Sequence, residues 1–565
     1  MSNPKETKKI LLLLLPFWTP MIPPGGIASL KVFLQGHGYE VKTADANIEK
    51  TPRALYFDYF TRLRQHIPEN KKSNFYSIGH HVLRNHMTAF LHRDNETDYT
   101  ELIKLLIENI FYVDVDDPLI RDMDEIIGTY YAWEKEYLTG LLEREAPDIF
   151  GLSVYRDTLP ASMFAFKQVK EMYPSIKTVM GGPIFSEQLI PGSPDMELFL
   201  AQTKPYIDKL IIGAGELLFL KYLQGNLPES KRVYTQEDIN GEILDFSAMG
   251  IPDYSDCDTR FYPFMGATGS NGCLFNCSFC NVLKYFGPFQ KKNIRQLVRE
   301  MLQLYQIYGN QLFYMTDHMV NPLIKDIAEQ IQKEKIPVYW TAYLRVDPAA
   351  EQKETVLLWR KGGFYCARLG IESGSQKVLD LIGKKITIAQ IKKNVSNLAA
   401  VGIKTTTYWF VGHPGETEQD FQQTLDLLEE LKDDIYEAES DYFNYHYSGQ
   451  VDSDKWADRR SLVFPGKYRN MLITQTWTVD CQPSREEIFS RLNRFVQHCN
   501  KIGIPNPYTL NEINQADIRW KKLHENAVPP LMDFKKNPTP LDDREKVKNF
   551  IQALTIPGDD GNFNF

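Results

Sequence analysis

The chain offers no apolar run long enough to span a membrane, no surplus of basic residues and no internal repeat. The first absence removes a transmembrane reading. The second, a net charge of −9, leaves no electrostatic footprint for nucleic acid. Cysteine is scarce as well, at seven in 565 residues. So few thiols exclude a disulfide scaffold and fit a reducing cytoplasm. The leucine-rich run at 8–15 is short, ends at Pro16 and lacks a small-residue cleavage site. It therefore reads as a buried first strand rather than a signal peptide. What is present is ordinary for a globular protein with real cores: 43% hydrophobic and 24% charged residues. The length predicts about three or four domains.

Strand and helix signals alternate along the first part. Strands are expected at 8–15, 41–46, 148–154, 177–180 and 208–212, with helices at 27–35 and about 160–173. An insert at 50–146, rich in Tyr, His and helix formers, reads as mostly helical. This alternation predicts an α/β fold with a doubly wound parallel sheet, whose ligands bind beyond the carboxyl ends of the strands. The Pro/Gly-rich loop at 16–26 lies at those ends, as do Ser153, Tyr155, Arg156, Gly181, Gly182, Gly213, Gly215 and Glu216. The segment 1–225 is thus a Rossmann-like domain, and 226–262, with Pro228, Pro252 and Cys257, is a linker.

A second alternating region follows. Ile294, Leu297, Val298, Met301 and Tyr305 recur at helical spacing over 293–308, with Gly309 as the stop. Strands are expected at 311–315, 338–343, 364–370 and 404–411. Thr387-x-x-Gln390 and Thr417-x-x-Asp420 read as capping boxes. The pattern over 263–434 is a partial (β/α)6 barrel, whose chemistry belongs at the carboxyl ends of its strands. Residues 435–565 form a mostly helical region expected to cover the substrate, with a polar tail at 537–565 expected to be poorly ordered.

Three of the cysteines, Cys273, Cys277 and Cys280, fall within eight positions. Thiolates so spaced let one loop hold one iron–sulfur cluster. Three anchors on a four-iron cubane leave one iron free to bind a small molecule. A zinc knuckle needs four ligands, and no fourth Cys or His lies close by. The C-x3-C-x2-C spacing, with Phe279 before the last cysteine, resembles the radical S-adenosylmethionine (radical SAM) superfamily. In that family the free iron chelates S-adenosylmethionine, and the reduced cluster cleaves it to a 5′-deoxyadenosyl radical. Three further segments extend the resemblance in order. Met315-Thr316-Asp317 stands where many members carry Gly-Gly-Glu. Gly370-Ile371-Glu372-Ser373-Gly374 is similar to a segment of cobalamin-linked members. Gly412-His413-Pro414-Gly415-Glu416-Thr417 resembles the family's Gly-x-Pro-Gly-Glu-Thr turn. The resemblance implies that Asp317, Glu372, Ser373, Gly412, Pro414 and Gly415 hold S-adenosylmethionine, and that the three cysteines hold a 4Fe-4S cluster.

The first domain resembles the cobalamin-binding domain that precedes the radical barrel in one large subclass. Gly-Leu-Ser-Val-Tyr at 151–155, Val-Met-Gly-Gly-Pro at 179–183 and Ile-Ile-Gly-Ala-Gly-Glu at 211–216 carry this. Asp-x-His-x-x-Gly is absent, so Tyr155 or Arg156 is expected at the lower cobalt face. Tyr343 and Arg345, at a strand end, are candidate contacts to substrate or cofactor. The histidines at 80, 81, 86 and 92 miss the spacing of a helical metal pair and read as packing or surface residues. Cys366 reads as a buried, inert thiol.

The function these resemblances imply is a cobalamin-dependent radical SAM enzyme of the cytoplasm. It is expected to be a C-methyltransferase at an unactivated carbon of a peptide or small-molecule natural product, reduced by a donor such as flavodoxin or ferredoxin. A non-methylating cobalamin-dependent cyclase or rearrangement enzyme is the alternative within the family, and a non-catalytic interaction protein the alternative outside it. Methylthiotransferases need cysteines in the first domain, whereas the first here is Cys257.

Overall fold

The run Ile10–Leu14 is apolar at every position because both of its faces are covered. It lies in β1 (Lys9–Leu14), and each of its side chains is buried. The computed structural model describes residues 8–17, 21–245, 249–286, 289–445, 447, 455–507 and 510–534. The expected tail at 537–565 and part of the 16–26 loop lie outside them.

Around β1 gather β2 (Glu40–Asp45), β3 (Ile149–Ser153), β4 (Lys177–Gly181), β5 (Lys209–Ile211) and β6 (Val233–Tyr234), in the order β2-β1-β3-β4-β5-β6. All pairs are parallel. The order reverses between β1 and β3, where a doubly wound sheet opens its ligand crevice. The sixth strand arises inside the stretch read as a linker. Its two residues are too few to carry a periodic signal. The insert forms four helices, Lys50–His66, Phe75–His92, Glu96–Phe111 and Asp117–Glu145. Tyr59, Phe60, Tyr99 and Tyr130 are buried there, so its aromatic richness is core. His86 is fully buried too, bonded to Tyr59, Tyr99 and Asp124. No helix among the described residues is long and apolar enough to cross a membrane.

The chain divides into two units. One comprises Met1–Pro68, Ile78–Phe261 and Tyr445–Val479; the other comprises Glu69–Ser77, Tyr262–Asn444 and Asp480–Phe565. The late segment joins the first unit through long-range bonds. Gln475 N donates to Asp195 at 2.9 Å, Arg469 to the Pro194 carbonyl at 2.8 Å, and Lys467 pairs with Glu101 at 2.8 Å.

The second unit is built on β7 (Met265–Ala267), β10 (Leu312–Met315), β11 (Tyr339–Leu344), β12 (Phe364–Glu372), β13 (Lys404–Val411) and β14 (Glu437–Tyr442). They run parallel in the order β14-β13-β12-β11-β10-β7, an open six-stranded barrel. Between β7 and β10, β8 (Ser270–Asn271) and β9 (Gln290–Lys291) pair antiparallel, and the loop joining them carries the three cysteines. Both capping boxes form, at Thr387–Gln390 and Thr417–Asp420, and Gly309 ends its helix at φ +72°. The strand expected at 364–370 runs on to Glu372, and its register with β13 slips between Gly370 and Glu372.

Candidate active site

The cysteine loop starts from a buried carboxylate. Asp317, just past β10, is fully buried. It accepts from Gly269 N at 3.0 Å and from the Ser270 hydroxyl at 2.5 Å. These bonds fix the chain as it enters the loop. Burial pushes the Asp317 carboxyl up to about 6, outweighing those bonds. A carboxyl raised above its unfolded value of about 3.9 stabilises the fold most when protonated. That contribution is fully present below about pH 4 and lost as pH rises through about 6. The stability difference between wild type and Asp317→Asn, from urea midpoints, should therefore narrow by about 2–3 kcal/mol between pH 4 and 7. A difference that stays flat would count against this reading.

All three loop cysteines are free: Cys277 is buried, Cys273 half-buried and Cys280 exposed. Although Cys280 keeps an exposed surface, the atoms packed around its sulfur raise the thiol, with Cys277 and Cys273 adding to the rise and Val282 N and Lys384 opposing it. Among the described residues, no three His, Cys, Asp or Glu side chains converge on a single metal ion. A cubane takes its thiolates at separate corners, and three free cysteines on one loop are donors of the kind it needs. Each sulfur has an N–H nearby. Phe275 N donates to Cys273 at 3.4 Å, Arg345 Nη1 to Cys277 at 3.6 Å, and Val282 N to Cys280.

Glu372 stands beside this loop at φ +72°, a strained conformation for a side chain of its size. Lys384 Nζ donates to its carboxylate at 2.5 Å and lies 5.8 Å from the Phe279 ring. A Cβ on Gly370 would stand 2.5 Å from that carboxylate and 2.9 Å from Lys384 Nζ, so a larger residue there would displace the pair. Ser278 N donates to Ile382 O, tying the loop to the Lys384 turn. Ser373 is fully buried, its hydroxyl occupied by Ser375 N and Thr424. In the 412–417 turn, Gly412 (φ +89°) donates to Glu416 at 2.8 Å, and a Cβ on it would strike Ile488 at 2.4 Å. Pro414 is buried, whereas Gly415 (φ +90°) is exposed, with nothing closer than 3.9 Å to a Cβ. The Phe279 and Phe410 rings lie 5.4 Å apart, centroid to centroid, which brings loop and turn together. Glu372, Lys384, the cysteine loop and the turn therefore gather at one end of the barrel, with Asp317 beneath the loop.

Inside the barrel, sequence reasoning found Tyr343 but missed its neighbours Tyr314, Arg368, Tyr408 and Glu439. Tyr314, Tyr343, Arg368, Tyr408 and Glu439, one from each of five neighbouring strands, meet on a single level. Arg368 Nη1 donates to Tyr408 Oη at 2.7 Å, its guanidinium lies 4.6 Å from the Tyr314 ring, and Glu439 is 4.0 Å away. Tyr343 lies 5.7 Å from Tyr408 and 6.3 Å from Tyr314, ring to ring. Barrel interiors are usually filled by branched apolar side chains. This one is polar, and water reaches it: Tyr343 is 37% exposed and the Glu439 side chain 43%. Its surrounding walls still raise the Glu439 carboxyl to about 7, with Glu437 adding and Arg368 opposing. The available signal was alternation in β12, where Cys366, Arg368, Gly370 and Glu372 interleave with buried Ala367, Leu369 and Ile371.

In the first unit, Ser153, Gly181 and the 213–216 turn lie at the carboxyl ends of β3, β4 and β5. Ser153 bonds the Tyr155 phenol, which burial pushes up to about 12. Gly182 (φ +113°) serves the chain itself, since a Cβ would lie 2.4 Å from Val154 N. Gly181, Gly213 and Gly215 leave ordinary contact distances, and burial raises the Glu216 carboxyl. These turns follow β3, β4 and β5, on the side of the β1/β3 reversal where a doubly wound sheet takes its ligands. Arg156 stands 3.9 Å from Asp157, which Arg84 also grips at 2.7 Å. Burial opposes ionisation of Asp157, yet Arg156 and Arg84 together hold its carboxyl well below the usual range.

Residues 268–428 match the Radical SAM superfamily. An uncharacterised methyltransferase of Pyrococcus horikoshii is 25% identical over 312 residues, covering 52% of this chain and 66% of that protein. The anaerobic magnesium-protoporphyrin IX monomethyl ester cyclase of Rubrivivax gelatinosus is 25% identical over 319 residues, covering 51% of this chain and 55% of the cyclase. The chain thus spans less than two thirds of each relative's length. The solved apo structure of the cobalamin-dependent S-adenosylmethionine radical enzyme OxsB superposes with a TM-score of 0.50 at 15% identity. The superposition covers 90% of this chain and 63% of that one, a likeness of fold.

Proposed function

Starting from a radical SAM domain at residues 268–428, we propose that the chain is a cobalamin-dependent radical SAM C-methyltransferase. Its substrate is a peptide or small-molecule natural product with an unactivated carbon, and a flavodoxin- or ferredoxin-like protein supplies electrons. The observation that carries this reading is the set of three free thiols on the β8–β9 loop beside the Glu372–Lys384 pair. The six-stranded parallel sheet of the first unit, with its glycine-bearing turns at the strand ends, supports the cobalamin part.

When bound, the cluster with S-adenosylmethionine supplies radical hydrogen abstraction, and cobalamin supplies the methyl group. The protein's own work is to hold and to exclude. Cys273, Cys277 and Cys280 anchor the cluster. Glu372, aimed by Lys384, offers a carboxylate to the ammonium or ribose of S-adenosylmethionine. The exposed Gly415 lets a ligand approach the backbone closely. Asp317 keeps the cysteine loop in place from below. Ser153, Tyr155, Arg156 and the turns at 181–182 and 213–216 hold cobalamin. Within the barrel, Arg368 offers donors and Glu439 an acceptor to the substrate's polar end, with the three tyrosine rings around them.

Anaerobically reconstituted protein, reduced and given methyl-labelled S-adenosylmethionine with candidate substrates, tests this. Release of 5′-deoxyadenosine with label in the product is expected. Release without label would favour a non-methylating cyclase, a second reading supported by the likeness to the Rubrivivax cyclase. A protein that binds iron but releases nothing with any substrate would point to an interaction role.

A further inference from the structure

Of the three cysteine sulfurs, Cys277 is the most buried, and its nitrogen donor is a guanidinium rather than a backbone amide. Arg345 Nη1 lies 3.6 Å from Cys277 Sγ, and its Cζ lies 3.9 Å from the centroid of Phe275, two positions back in the same loop. The side chain therefore touches the loop twice, once at a ligand sulfur and once at the ring between two ligands.

Its backbone is held with unusual redundancy for a residue just past a strand. Arg345 N donates to Asn321 Oδ1 at 2.9 Å, and Asn321 Nδ2 donates back to Arg345 O at 2.9 Å. The same Asn321 amide bonds Asp347 at 2.9 Å, and Asp347 N donates to Asn394 at 2.9 Å. Two asparagines on either side thus fix where the guanidinium starts. Lys384, a second cation near the loop, is already committed to Glu372.

We propose that Arg345 is a positioning residue that sets how readily a cluster on this loop accepts its electron, through a charge-assisted hydrogen bond to Cys277. This rests on the cluster reading given above. Reduction adds negative charge to a cluster and its sulfurs, and a donor at a sulfur stabilises the added charge. A charged donor acts about twice as strongly as a neutral one, and partial burial weakens its screening. Arg345 therefore raises the midpoint potential. Cys273 and Cys280, served by backbone amides, contribute less to that rise.

The test is an anaerobic redox titration, read by electron paramagnetic resonance, of reconstituted full-length wild type, Arg345→Ala, Arg345→Gln and Arg345→Lys. Iron and sulfide are measured first. Wild-type protein that holds no cluster defeats the cluster reading itself, before any potential is taken. With the cluster loaded, Arg345→Ala should have a lower midpoint. At one fixed potential its reduced-to-oxidised ratio should fall roughly tenfold, the scale of one charge-assisted bond. Arg345→Lys should recover part of the loss. Should Arg345→Ala fail to take up iron, Arg345→Gln decides, because it keeps an N–H donor without the charge: a lowered midpoint supports the proposal. A loaded Ala or Gln variant with the wild-type midpoint overturns it.

Discussion

Cys277→Ser should abolish both iron–sulfur uptake and release of 5′-deoxyadenosine while leaving the fold intact. Cys277 is the buried member of the triad, and its thiol is the one met by Arg345. A hydroxyl is a harder, far less acidic ligand than a thiol, so the exchange removes an anchor rather than weakening it. The loss should be well beyond the roughly 10–100-fold expected when only an outer-shell partner is removed. Cys366→Ser is the matched control. Cys366 is also buried, but it faces Thr406 at 3.5 Å on β12, away from the loop. It should load iron as the wild type does, and circular dichroism should be unchanged for both variants. A Cys277→Ser protein that keeps its iron and still cleaves S-adenosylmethionine would end the reading of this loop as the cluster site.

Arg491→Ala should strongly destabilise the second unit. Arg491, on the helix Arg485–Ile502, donates from Nη1 to both the carbonyl and the carboxylate of Glu416, each at 3.0 Å. Both side chains are buried, at 5% and 1% exposure, so neither can turn to water instead. Burial already pushes the Glu416 carboxyl above its usual range despite the arginine and the bond from Gly412. Removing the arginine leaves a buried carboxylate uncompensated, which costs about 3–5 kcal/mol. Urea denaturation should show that loss. The double variant Arg491→Met, Glu416→Gln should lose less than Arg491→Ala, because no lone charge remains inside. The turn at 412–417 should loosen with it, so affinity for S-adenosylmethionine should fall as well. A cost below about 1 kcal/mol would mean that water reaches the pair.

Much of the fold was legible because it follows from local rules. The unbroken apolar run of β1 announces a strand covered on both faces. Thr387 with Gln390, and Thr417 with Asp420, announce helix starts through side chains that satisfy free backbone amides three residues away. Gly309 announces a stop because the left-handed conformation there suits a residue without a Cβ. The cysteine spacing is equally local, since a loop of eight residues brings its own thiols together. Val233–Tyr234 escaped notice because a two-residue edge strand has no period. The return of Tyr445–Val479 to the first unit escaped because its anchors, such as Gln475 on Asp195, lie 280 positions apart.

The amino-acid sequence by itself determined the two parallel α/β architectures, the helical insert and the loop that carries the thiols, because each depends on periodicity, capping or spacing within a few tens of residues. Only the tertiary structure decided which charged groups meet. Arg84 reaches Asp157 across 73 positions, Arg491 reaches Glu416 across 75, and Arg345 reaches Cys277 across 68. It also gathered Arg368, three tyrosines and Glu439 into one polar level from five separate strands. Such pairings depend on strand order and register, which bring distant residues within 3–4 Å and leave no mark on the local pattern of either partner.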